Sequence, residues 1–149
     1  MSEAQEAIRN LLGRYCELMD AADWVGLGGL FAQARLVDEQ GTVVADGRAG
    51  VERLYGKGTQ LYDGSPRTRH ITASTVIEVD EFGQTAVARS SYVVFQATEA
   101  LALQPIITGR YRDYFVIGDD NRWRFAERCF HVDQVGDLSH HLTYSVPQQ

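Results

Sequence analysis

The 149-residue chain is short of cysteine, proline and basic residues: two Cys, three Pro, and 14 Lys and Arg against 20 Asp and Glu. Each shortage excludes something. Cys16 and Cys129 lie far apart with no C-x-x-C pair, which leaves no zinc spacing and no disulfide scaffold. Two reduced thiols in a cytoplasmic protein are expected, with one disulfide as the alternative. A net charge of −6, without a basic patch interleaved with aromatics, argues against nucleic acid or an anionic membrane as partner. No apolar run reaches the length of a membrane span. The opening "MSEAQEAIRN" is acidic and polar, unlike a signal peptide. No G-x-S-x-G, Walker loop or dinucleotide fingerprint occurs, and no metal or cofactor is expected.

What is present suits one domain spanning residues 1–149, since 44% of the chain is hydrophobic. Ala4, Ile8, Leu11, Leu12, Tyr15, Leu18 and Met19 recur at helical spacing, predicting a helix over about residues 3–20. Asp23 is placed to cap a second short helix, "WVGLGGLF". "RLVDEQGTVVADG" predicts a small hairpin around Gln40-Gly41, and "RAGVERLYGKG" a third helix, with Asp46 as a possible cap. The second half alternates instead. Four long runs, beginning near His70, Thr85, Pro105 and Arg122, read as an antiparallel meander. The expected class is α+β: a curved antiparallel sheet wrapped into a cone-shaped half-open barrel on three N-terminal helices, with a ligand pocket at its mouth.

Several polar residues fall where such a core should be apolar. Asp20 ends the first helix, where a carboxylate opposes the helix dipole. His70 opens a strand. Arg110 and Arg112 lie in the third long strand and Arg128 in the fourth, in phase with Phe130 and Val132, with Arg124 in the same phase nearer the end. A charge on a covered sheet face needs a partner or a wet cavity. Each residue has a plain structural reading: Asp20 as a solvated helix end, His70 as a half-exposed strand residue, Tyr15 as a core aromatic. Together they also suit chemistry. A carboxylate accepting from one imidazole nitrogen fixes the tautomer and leaves the other as a base. Tyr15 lies about 140° around and roughly 7.5 Å along the helix from Asp20, so both can flank one pocket under a curling sheet. Trp24, Leu54, Tyr55, Tyr92, Arg110, Tyr114 and Phe130 are candidate lining residues. The adjacent His140 and His141 fit a mobile surface tail better than a metal site. His131, in the opposite phase to Arg128, suits packing or an interface.

A helix ending "Y…LMDAADW…LF", then "RHI", then "GRYRDYFVI…NRWRFAERCF" resembles the SnoaL-like branch of the nuclear-transport-factor-2-like superfamily over nearly the whole chain. The resemblance implies a cone of bent antiparallel sheet with three helices, usually dimeric through the sheet. Lyases of this superfamily, among them scytalone dehydratase, hexachlorocyclohexane dehydrochlorinase and bile-acid 7α-dehydratase, use an Asp–His dyad. Asp20 and His70 fall on its positions. The bile-acid enzyme's pattern also implies Tyr15, and Arg128 five residues after Trp123. Met19, Phe95 and Tyr15 depart from the patterns of the other two.

The resemblance therefore implies a cofactor-independent dehydratase or related isomerase acting on a hydrophobic cyclic substrate with an activating carbonyl. His70 is expected to take the proton, Asp20 to orient it, Tyr15 to bind the carbonyl or assist the leaving hydroxyl, and Arg128 to steady negative charge. The expected partners are a small hydrophobic molecule and a second copy in a homodimer or higher homo-oligomer. The alternatives are an assembly module, similar to the small subunit of ring-hydroxylating dioxygenases, and a ligand-binding protein without turnover.

Overall fold

The computed structural model describes residues 2–146. The helices are α1 (Glu3–Asp20), α2 (Trp24–Leu30) and α3 (Gly47–Gly58); the strands are β1 (Arg35–Val37), β2 (Val43–Asp46), β3 (Thr68–Val79), β4 (Thr85–Thr98), β5 (Leu101–Ile117) and β6 (Trp123–Val135). Among the described residues no helix is long and apolar enough to cross a membrane.

Local sequence explains most boundaries. Ser2 and Gln5 form a reciprocal capping box at the start of α1. The Asp23 carboxylate accepts from Gly26 N–H at 2.8 Å and so caps α2. In the β1–β2 turn, Asp38 Oδ1 accepts from the N–H groups of Gln40 and Thr42, while Gly41 takes the left-handed φ of +85°. Asp46 does stand at the N-cap of α3, but its side chain makes no capping bond.

The strands form one sheet in the order β2-β1-β6-β5-β4-β3. Every neighbouring pair is antiparallel except β1 and β6, which run parallel. The sheet is not closed, as the half-open expectation has it, and the one parallel pair, β1 with β6, makes it mixed where an antiparallel sheet was expected. The β1–β2 hairpin lies between α2 and α3, in the order the sequence motifs predict. Register shifts interrupt all three long pairings, and such bulges bend a sheet. Gly109 serves the same curvature: a Cβ there would run into the His131 carbonyl and the Tyr92 hydroxyl. Its absence lets Tyr92 cross β5 and donate to the His131 carbonyl at 3.2 Å.

The core fills the concave side. Ile8, Leu12, Tyr15, Leu18 and Met19 of α1 are buried beside Phe31, Phe115 and Phe125. Phe31 and Phe115 each lie against Phe125, with ring centroids 4.6 and 4.7 Å away. A bulge at Ala126, where Tyr114 pairs with Glu127 but Phe115 with Phe125, changes the phase of β6. Phe125 therefore joins Arg128 on the inner face, and Arg124 turns outward, against simple alternation.

Candidate active site

The last side chain of α1 and the first turn of β3 meet through one carboxylate. Asp20 Oδ1 accepts from Thr68 Oγ1 at 2.9 Å and lies 2.6 Å from His70 Nδ1, while Oδ2 accepts from the His70 backbone N–H at 2.9 Å. These bonds answer the unfavourable position of an acid at a helix C-terminus. Partial burial pushes the Asp20 carboxyl up, but the bonds from His70 and Thr68 outweigh it, and the carboxyl is held below its ordinary value. An ionised carboxylate only accepts, so Nδ1 carries the shared proton and Nε2 of the neutral ring keeps its lone pair.

His70 lines a cavity of about 560 Å³, within the range of small-molecule sites. Tyr15, Leu54, Tyr55, Tyr92, Arg128 and Phe130 also line it. The Tyr15 ring stands edge-on to His70, centroids 6.0 Å apart, and its hydroxyl hydrogen-bonds that of Tyr55 at 3.4 Å. Burial pushes both phenols well above their ordinary values, so they are neutral hydrogen-bonding groups.

Arg128 is fully buried at the cavity wall. Its Nε and Nη2 donate to the two oxygens of Asp113 at 2.7 and 3.1 Å. Its guanidinium carbon lies 3.6 Å from the Tyr111 ring centroid and 4.3 Å from that of Tyr15. Burial opposes the charge, but Asp113 more than offsets it and keeps the guanidinium protonated. Asp113 and Tyr111 were not foreseen; alternation with the inner face of β5 is the signal that finds them, one to each side of Arg112.

Three expected lining residues lie elsewhere. Arg110 is exposed on the outer face of β5, in a bidentate pair with Asp133. Tyr114 shares that face and accepts from Arg112 Nε at 2.8 Å. Both alternate with inward Tyr111, Asp113 and Phe115, so the pleat places them outside. Trp24 stacks on Tyr55 at 6.3 Å, behind the lining. His131 also lies outward, 3.6 Å from Glu39 and 3.7 Å from the Cys129 sulfur. Cys16 and Cys129 are both free.

His141 overturns the mobile-tail expectation. It is 6% exposed, lines the cavity with Leu138, Leu142 and Tyr144, and stands 6.4 Å from His70 between ring centroids. Burial and the neighbouring His70 lower its pKa to about 4, against a small opposing effect of Asp20. The strap it rides on is tied down: Gln60 N–H donates to the His141 carbonyl at 2.8 Å, and buried Gln96 donates to the His140 carbonyl at 3.0 Å. No short-range sequence signal reports these long-range bonds.

The SnoaL-like domain profile matches residues 1–129, ending before the strap. No curated protein matches the chain. Three solved structures from Novosphingobium aromaticivorans are similar. One, described as NTF2-like with a cystatin-like fold, is 25% identical, with a TM-score of 0.70 over 87% of this chain and 82% of that one. Another, named provisionally as a scytalone dehydratase, is 20% identical, TM-score 0.71, covering 97% and 89%. A third, the beta subunit of a proposed aromatic-ring-hydroxylating dioxygenase, is 22% identical, TM-score 0.68, covering 89% and 90%. The last two speak for the fold alone. With 129 of 149 residues matched and the same open cone of sheet and three helices, the chain belongs to the SnoaL-like domain family.

Proposed function

We propose that the chain is a cofactor-independent lyase of the dehydratase type, or a related isomerase, acting on a hydrophobic cyclic molecule whose carbonyl acidifies a neighbouring C–H bond. The observation that carries this reading is the 2.6 Å contact of Asp20 with His70 at the wall of an aromatic-lined cavity. Nε2 of His70 takes the carbon-bound proton. The electron pair of the broken C–H bond forms the new double bond, and the C–O bond of the leaving hydroxyl breaks. The proton then passes from His70 to that hydroxyl, which departs as water, so the enzyme ends as it began. Asp20 stabilises the intermediate imidazolium. Neutral Tyr15 donates to the substrate carbonyl as charge builds there. Arg128 adds a fixed positive charge at the wall, already shared with Asp113. An isomerase uses the same first step and returns the proton to another carbon.

Deuterium exchange tests the first step without knowledge of the natural substrate. Cyclic ketones such as 2-tetralone are incubated in D2O with the protein, and exchange at the α-carbon is read by NMR. The expected result is acceleration over buffer that His70→Ala removes. Exchange unchanged by that substitution excludes His70 as the base.

The second reading is a non-catalytic assembly module, like the small subunit of a ring-hydroxylating dioxygenase. It is favoured by the structural role of Asp20, whose bonds to Thr68 and the His70 backbone would be needed without any chemistry. Size-exclusion chromatography with light scattering separates the readings: a stable homo-oligomer favours the enzyme, and co-purification with a larger subunit favours the module.

A further inference from the structure

We infer that His141, carried on the C-terminal strap, is a ligand-binding residue of the cavity whose ring hydrogen-bonds a hydroxyl or carbonyl oxygen of the bound molecule. The inference rests on the reading of this cavity as a small-molecule site, and not on the chemistry assigned to His70.

The ring is buried, yet its Nδ1 has no hydrogen-bond partner among the described residues. Leaving such a buried nitrogen unmet is destabilising, because its hydration is lost and nothing replaces it. The other strap residues on the cavity wall include Leu138, Leu142 and Val146, so an apolar side chain would suit the position without that cost. Nor does the side chain anchor the strap. Its backbone does that, through the Gln60 bond, the Gln96 and Tyr62 bonds to the His140 carbonyl, and the Thr59–Leu142 bridge. The imidazole is thus held in place by main-chain bonds while its own polar group is left unmet, the arrangement of a preorganised binding group.

The surroundings define the ligand. His141 and His70 bracket one part of the cavity, their rings inclined at 67°. A neutral imidazole offers one N–H and one lone pair. A hydroxyl satisfies either ring tautomer, and a carbonyl satisfies the protonated nitrogen. The remaining wall is mostly aromatic and aliphatic, with Arg128, Asp38, Thr59 and Ser145 as its other polar members. The ligand class is therefore a flat or alicyclic apolar molecule with an oxygen substituent placed to reach His141.

Equilibrium dialysis with naphthalene and 2-naphthol as matched probes tests this. The intact protein is expected to hold 2-naphthol about tenfold more tightly, the worth of one well-placed buried hydrogen bond. His141→Leu should reduce that preference to about twofold or less while naphthalene still binds, and His141→Asn should retain most of it. A full preference in His141→Leu, or none in the intact protein, overturns the inference. So does a preference that disappears in His70→Leu but not in His141→Leu, since the oxygen then sits on His70. Should His141→Leu fail to fold, 15N NMR of the intact protein decides. The His141 ring-nitrogen signals must move with 2-naphthol and not with naphthalene; signals that stay still overturn the inference. Deuterium exchange that His70→Ala leaves unchanged would overturn the role of His70 and leave that of His141 standing.

Discussion

Asp20 holds His70 at two points, accepting from its ring Nδ1 at 2.6 Å and from its backbone N–H at 2.9 Å. One carboxylate thereby sets both the path of β3 and the tautomer of the ring that faces the cavity. Asp20→Ala should destabilise the fold by about 3 kcal/mol, because charge-assisted hydrogen bonds are lost together. Asp20→Asn should cost less, since an amide oxygen still accepts. Urea unfolding at pH 7 measures both. The folded carboxyl titrates below its ordinary value of 3.8, so the unfolded chain binds the proton first. The stabilisation is present at neutral pH and is lost as the pH falls through that value and below it.

Arg128 and Asp113 form a fully buried ion pair. Arg128→Met strands the Asp113 charge and should cost about 3–5 kcal/mol. Arg128→Met combined with Asp113→Leu should recover much of the loss, because neither charge is then left without its partner. A double-mutant cycle by urea unfolding checks this. Purely additive costs would show that the aromatic sandwich of Tyr15 and Tyr111, rather than the ion pair, carries the contribution of Arg128.

His141 places a second acid sensitivity in a different window. Its folded pKa of about 4 lies below the ordinary 6.5, so the unfolded state takes up a proton that the folded state refuses. Stability is full above pH 6.5 and falls as the pH drops from there through 4, by about 3 kcal/mol in all. Urea midpoints between pH 7 and 4.5 should decline in the intact protein. They should decline much less in His141→Leu, in which this group is absent.

Much of the fold was legible because it rests on local chemistry. The apolar spacing of α1, the Asp23 cap and the alternation of the long strands each depend on residues within a few positions. Asp20 and His70 stood out because each lacked a local reason to be where it is. Arg110 and Tyr114 were misplaced because polarity alone does not tell which side of a pleat a residue takes. That is set by register, and their neighbours Tyr111 and Asp113 hold the inner positions. Arg124 failed for a related reason, since one extra residue at Ala126 inverts the phase of what precedes it.

The sequence by itself determined the elements and their order, because periodicity, caps and turn residues act over short distances, and its motifs carried the resemblance to the family. Only the tertiary structure decided the parallel β1–β6 pairing, the burial of Arg128 against Asp113 and the seating of His141 beside His70. Each of these joins separate elements: β1 with β6, β5 with β6, and the strap with β3. Such contacts form only when the bent sheet and the strap close on the same cavity, and no local pattern encodes that closure.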